Sequence, residues 1–149
     1  MDIGIAFISF DFKKGTVVLY SNNITEDFCS LLALKTVVTG FSNNRQDSIK
    51  SYYAESIIPF PNENKVVFSY LFPIFSNQNK EPRSCALSLV IQESDQNILY
   101  ATAHVISKMF REFSKKIQDN YVYPQTLNEN LADSLEKFTQ PDYLISLTA

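Results

Sequence analysis

The residue types that carry acid–base, nucleophilic or metal chemistry are sparse in this chain, and their spacing assembles no catalytic set. His104 is the only histidine. A general base needs a nucleophile and an orienting group within hydrogen-bond reach, and no serine or cysteine motif supplies them here. Set among Ala103, Val105 and Ile106, it reads as a structural histidine. Cys29 and Cys85 lie far apart, without a neighbouring histidine or a second pair, which suits two buried thiols in a reducing compartment better than a disulfide or a zinc site. Gly4, Gly15 and Gly40 are the three glycines, so no phosphate-cradling loop can be written and no nucleotide site is expected. Glu55, Glu93 and Asp95 are scattered through turns and strand ends, with no pair placed to share a proton or hold a metal. The expectation is a chain that is not an enzyme and uses no cofactor and no metal.

Two groups of residues are better suited to binding. Lys108, Arg111, Lys115 and Lys116 fall within two turns of one helical pattern, and spacings of three and four let them share a stripe. Such a stripe is either a solvated face balanced by Glu112 and Asp119, or a site for an acidic protein surface or for anionic lipid headgroups at a membrane. Tyr52, Tyr53 and Phe60 accompany a strand that reads as a sheet edge. Edges are either charged to deter pairing or used to recruit a partner's strand, with aromatics as anchors.

Composition bounds the partners. At 149 residues with 45% hydrophobic content, a single domain over 1–149 with one core is expected. A net charge of -3 provides no positive field for a polyanionic backbone, so nucleic acid is not an expected partner. The first twelve residues lack a basic start and an unbroken apolar run, and no later stretch reaches membrane length. A cytoplasmic location follows as an expectation. The Asn23-Ile24-Thr25 sequon would then never be glycosylated.

The elements that must position these residues are legible from periodicity. Ile3, Ile5 and Phe7 alternate with Gly4, Ala6 and Ile8, so a first strand is apolar on both faces and predicts a central position under helices on both sides. Lys13-Lys14-Gly15 turns the chain into a second strand over 16–21. Asn23 with Glu26 forms a candidate capping box for a helix carrying Phe28, Leu31, Leu32 and 34–38, stopped by Gly40. An edge strand over 51–58 follows a polar loop. Further strands span 65–72, with Pro73 as its end or a bulge, and 85–91. A long helix over 96–117 is capped by Ser94 or Asp95, and a third helix over 127–138 uses Leu127, Leu131, Leu135 and Phe138 before Pro141 ends it. The tail 142–149 is apolar enough to dock, at no predicted place. The two buried strands, 3–12 and 85–91, belong side by side. The reading is therefore an α+β fold, β-β-α-β-β-β-α-α, with a five-stranded antiparallel sheet of order 2-1-5-4-3. Its first helix lies on one face and the later two on the other.

That order resembles the longin domain, found in vesicle-fusion SNAREs, adaptor-complex chains and regulators of small GTPases. The run from Phe7 to Tyr20 looks like the family's first hairpin. Asp95-Gln96-Asn97-Ile98-Leu99, leading to Phe110 and Phe113, is similar to the start of its second helix. Tyr123-Pro124-Gln125-Thr126-Leu127-Asn128-Glu129-Asn130-Leu131 resembles the run into its last helix. Profilin-like and roadblock modules share much of the sheet, but a roadblock domain usually places a helix before its first strand. The resemblance implies a non-catalytic platform that docks a small GTPase or another longin or roadblock-type chain, including a second copy, in trafficking-like or GTPase-regulatory complexes. It carries no specific contact residue with it. The alternative is a small-ligand or lipid-binding domain using space between sheet and helix.

Overall fold

The structure, a computed structural model, describes residues 1–11, 15–42, 53–74, 83–120 and 129–148. Five strands, β1 (Ile3–Asp11), β2 (Gly15–Asn22), β3 (Ala54–Phe60), β4 (Lys65–Ile74) and β5 (Arg83–Gln92), form one sheet of order β2-β1-β5-β4-β3. Every neighbouring pair is antiparallel. The helices are α1 (Glu26–Ser42), α2 (Gln96–Asn120), α3 (Glu129–Glu136) and α4 (Pro141–Ser146). The expected strand order is thus the observed one.

The period of two in each strand divides the core between the faces of the sheet. Ile5 and Phe7 of β1, Phe68 and Phe72 of β4, and Leu87 and Leu89 of β5 point to one face. There they meet Leu99, Ile106, Phe110 and Ile117 of α2, together with Leu135, Phe138 and Leu144 from the C-terminal segments. Ala6, Ile8, Val67, Leu71, Ala86 and Val90 point the other way, to Phe28, Leu32 and Ala33 of α1. Two polar side chains also sit on this inner surface and satisfy each other: the Ser69 and Ser88 hydroxyls are 2.8 Å apart, which removes the penalty of burying either alone.

Several local expectations are corrected. Thr25, not Asn23, caps α1, its Oγ1 accepting the Phe28 amide at 3.2 Å. Asn23 instead takes a left-handed backbone with φ 58°. Its amide donates to the Ile3 carbonyl at 2.8 Å and to Asp2 at 2.5 Å, pinning the loop to the start of β1. α1 continues through Gly40 to Ser42, since an interior glycine weakens a helix by only about 1 kcal/mol. β3 is displaced to Ala54–Phe60 and contains Pro59. Pro73 does not end β4: it pairs with Ser84, beyond Leu71, the last β4 residue opposite β3. Among the described residues β4 has a neighbour on one side only there, so a missing N–H is tolerated as on an edge.

Pro141 opens a helix as well as following one. It occupies the first turn of α4, where its absent N–H would have no intrahelical acceptor. α4 delivers Leu144 into the core beside α2, which places the tail. Leu127, expected in the third helix, lies outside the described residues; α3 begins at Glu129.

Gly4 is where close approach requires the absence of a side chain. A Cβ there would stand 2.5 Å from Ile24 Cγ1 and 2.8 Å from the Asn23 carbonyl oxygen. Because the oxygen belongs to the pinned loop, Gly4→Ala should destabilise the fold by about 1–3 kcal/mol through overpacking. Urea unfolding monitored by circular dichroism checks this; a midpoint unchanged from the parent protein would contradict it.

Candidate functional site

The α2-facing side of β3 brings one member of the aromatic group, Tyr53, together with two of the basic stripe, Arg111 and Lys115. α2 runs along β4, and its flank nearest β3 carries Ser107, Arg111, Ser114 and Gln118, successive positions three or four apart. Ser107 Oγ donates to Glu55 Oε2 on β3. Two to three turns on, Gln118 Nε2 donates to the Pro73 carbonyl at 2.7 Å. Between these fastenings lies an open notch of about 290 Å³ lined by Tyr53, Tyr70, Arg111, Ser114 and Lys115. The Tyr53 ring lies 6.4 Å from that of Tyr70. Tyr70 continues the stack to Phe72 at 5.9 Å and, through it, to Phe7. One wall is therefore anchored in the core, and the other carries the exposed Arg111 and Lys115 side chains.

Tyr53 is 50% exposed and Tyr70 only 2%. The Tyr70 hydroxyl is buried with no hydrogen-bond partner among the described residues. Ser114 Oγ is occupied, donating to the Arg111 carbonyl at 2.7 Å. Arg111 and Lys115 are exposed, and no side-chain ion pair of either is found among the described residues. Lys108 is exposed on the same helix but does not line the notch. His104 is also exposed, so it is not a core histidine.

Phe60 does not belong with Tyr53. Their positions differ by an odd number, so alternation sends Phe60 to the opposite face, where it is 1% exposed and packs on Phe28 at 5.1 Å. It cannot be an exposed anchor at this edge. Tyr52 lies outside the described residues. Sequence reasoning passed over Tyr70, treated as one more apolar position of a central strand; the signal was its hydroxyl, the sole phenol in a run of Val, Phe, Leu and Ile side chains.

The two edges of the sheet differ. β2 is bulged against β1: Phe7 faces Tyr20 but Ile8 faces Val18, and the extra residue twists an edge away from regular pairing. β3 pairs with β4 without a register break from Ala54 to Phe60. Its far end is closed, because Pro59 has no N–H and its carbonyl accepts from Lys35 Nζ. The Lys35 ammonium also lies 4.4 Å from the Phe60 ring centroid. The stretch from Tyr53 to Ile58 remains as the regular part of the edge. The interior between α2 and the sheet is filled by Leu99, Ile106, Phe110 and Ile117, all fully buried.

A comparison of the sequence with protein-family models finds no match, and a search of curated proteins finds none either. Among solved structures the chain is similar to the K. lactis Lst4 longin domain, with a TM-score of 0.59 and 16% identity, over 99% of this chain and 97% of that one. The fold is longin-like.

Neither cysteine extends the chemistry of the notch. Both are buried thiols outside any disulfide, and burial pushes the Cys29 thiol above its usual pKa, with a hydrogen bond to Ser21 opposing the effect and Glu26 adding to it. Since the thiolate is the reactive form, a raised pKa lowers its fraction at any pH below that value. Folded protein at pH 8 should react with a disulfide reagent at least about tenfold more slowly than the denatured chain. Rapid labelling of Cys29 in the native state would contradict this.

Proposed function

We propose that this chain is a non-catalytic protein-interaction module, one domain over residues 1–149, that recruits an extended segment of a protein partner to the β3 edge. The observation that carries the reading is the contrast between the two edges. β2 is bulged, while β3 offers an unbroken row of backbone from Ala54 to Ile58 flanked by an aromatic side chain that is half exposed. A strand added there gains main-chain hydrogen bonds for affinity, and the alternating side chains on the α2 side supply selectivity. The longin-like fold supports a docking role of the trafficking or GTPase-regulatory kind, carried out in the cytoplasm. Among the described residues no helix is long and apolar enough to cross a membrane. A small GTPase, or another longin or roadblock-type chain, is the partner class that this reading favours. The filled layer between α2 and the sheet favours it over storage of a lipid or small ligand.

Light scattering across concentration tests a second copy as the partner, and pull-downs with small GTPases in both nucleotide states test the heterologous one. In whichever complex forms, amides 54–58 should gain protection from hydrogen exchange. Tyr53→Lys should weaken association about tenfold or more, as loss of an interface aromatic does, with the melting temperature unchanged. Equal binding by the variant, together with unaltered exchange at 54–58, would reject the edge as the docking site.

A further inference from the structure

We infer that the notch beside β3 is an oxyanion site that takes a carboxylate or phosphoryl group from a side chain of the docked segment. This deepens the edge-strand reading and rests on it for the identity of the carrier. Arg111 and Lys115 stand one helical turn apart at the rim, with no ion pair of either among the described residues. Two cations one turn apart, neither in an ion pair among the described residues, favour an anion between them even beside Glu112 in a chain whose net charge is -3. Glu55, the acid on β3, is already held by Ser107. Arginine adds a planar pair of donors suited to carboxylate and phosphoryl oxygens.

The second observation is independent of charge. Tyr70 lines the same notch, is 2% exposed, and has a hydroxyl with no partner among the described residues. A buried phenol can donate one hydrogen bond, and an oxyanion entering between the cations would accept it. The tyrosine rings shield those bonds from water, which strengthens them. At about 290 Å³ the space falls at the lower limit of small-molecule cavities, roughly 300 Å³ upward, and suits one side chain. A strand added outside β3 would run about 4.8 Å beyond it, with alternate side chains directed to the α2 side. A planar lipid surface would meet the protruding Lys108 and Lys115 alike and would not bring an oxyanion to Tyr70. A peptide carrier is therefore favoured.

The test is an NMR titration of the full ¹⁵N-labelled chain with inorganic phosphate, and separately with acetate, at constant ionic strength set by sodium chloride. Saturable shifts are expected at the amides of 53, 70 and 111–115, abolished in the Arg111→Gln/Lys115→Gln double variant and unaffected by Lys108→Gln. Tyr70→Phe should weaken phosphate binding about tenfold or more, the effect of one hydrogen bond to a charged group, with no loss of thermal stability because the hydroxyl has no partner among the described residues to lose. Saturation by phosphate alone assigns a phosphoryl carrier, and saturation by both probes admits a carboxylate. Shifts reproduced by chloride, or equal in the double variant, would overturn the site. Vesicles of phosphatidylcholine with about 30% phosphatidylserine form the remaining arm: binding that the double variant abolishes would overturn the peptide carrier in favour of a headgroup. The phosphate titration needs no added strand, so its failure removes the notch and leaves the edge reading standing. A saturable notch in a complex whose 54–58 amides stay unprotected removes the edge reading instead.

Discussion

Burial of β1, β5 and β4 on both faces is the constraint from which the architecture follows. Each of these strands carries large apolar side chains in both phases of its alternation: Phe7 against Ile8, Leu89 against Val90, Phe68 against Val67. Fully covering one such side chain is worth about 1.5–3 kcal/mol, so neither face can be left wet. One face takes α1, and the other takes α2 with the C-terminal helices. Strands with weaker alternation are pushed to the margins, β2 with its exposed Val17 and Val18 and β3 with Glu55 and Tyr53.

The same constraint creates the notch. α2 must follow β4 to bury Phe110 and Ile117, and in doing so its near flank projects past the narrow end of β3. Ser107 and Gln118 fasten that flank to Glu55 and to the Pro73 carbonyl. Between them Phe110, Phe113 and Ile117 turn into the core while Arg111 and Lys115 stay exposed at the rim of a gap that Tyr70 also lines. The proposed docking edge and oxyanion site are thus both consequences of how a long helix covers a sheet whose last strand is short.

Much of the fold was legible because packing leaves a periodic record. Strand alternation and the recurrence of Ile98, Thr102, Val105, Met109, Phe113 and Ile117 at helical spacing identified the elements and their central or marginal places, although Ile106 and Phe110, not Val105 and Met109, take the fully buried positions of α2. Boundaries set by single hydrogen bonds were less legible. Thr25 and Asn23 are both good capping residues, and the choice between them depends on Asn23 being drawn to Ile3 and Asp2 across the sheet. Pro73 remains in β4 where, among the described residues, only β5 pairs with it, a fact about another part of the chain. The tail's docking depended on the contacts of Tyr143 with Phe138 and Met109, which local sequence does not describe.

The candidate site divides in the same way. Sequence alone determined that the chain holds no assembled catalytic motif, that lysine and arginine recur along one line of α2, and that tyrosines gather near an edge strand, because these are properties of residue type and spacing. Only the tertiary structure decided that Tyr53 and Arg111 meet while Phe60 turns away to α1, that Lys108 stands apart from Lys115, and that Tyr70 keeps an unused hydroxyl beneath them. Proximity between a strand edge and a helix some sixty residues later is set by the register of α2 over β4, and that register is fixed by the fit of core side chains from the whole sheet.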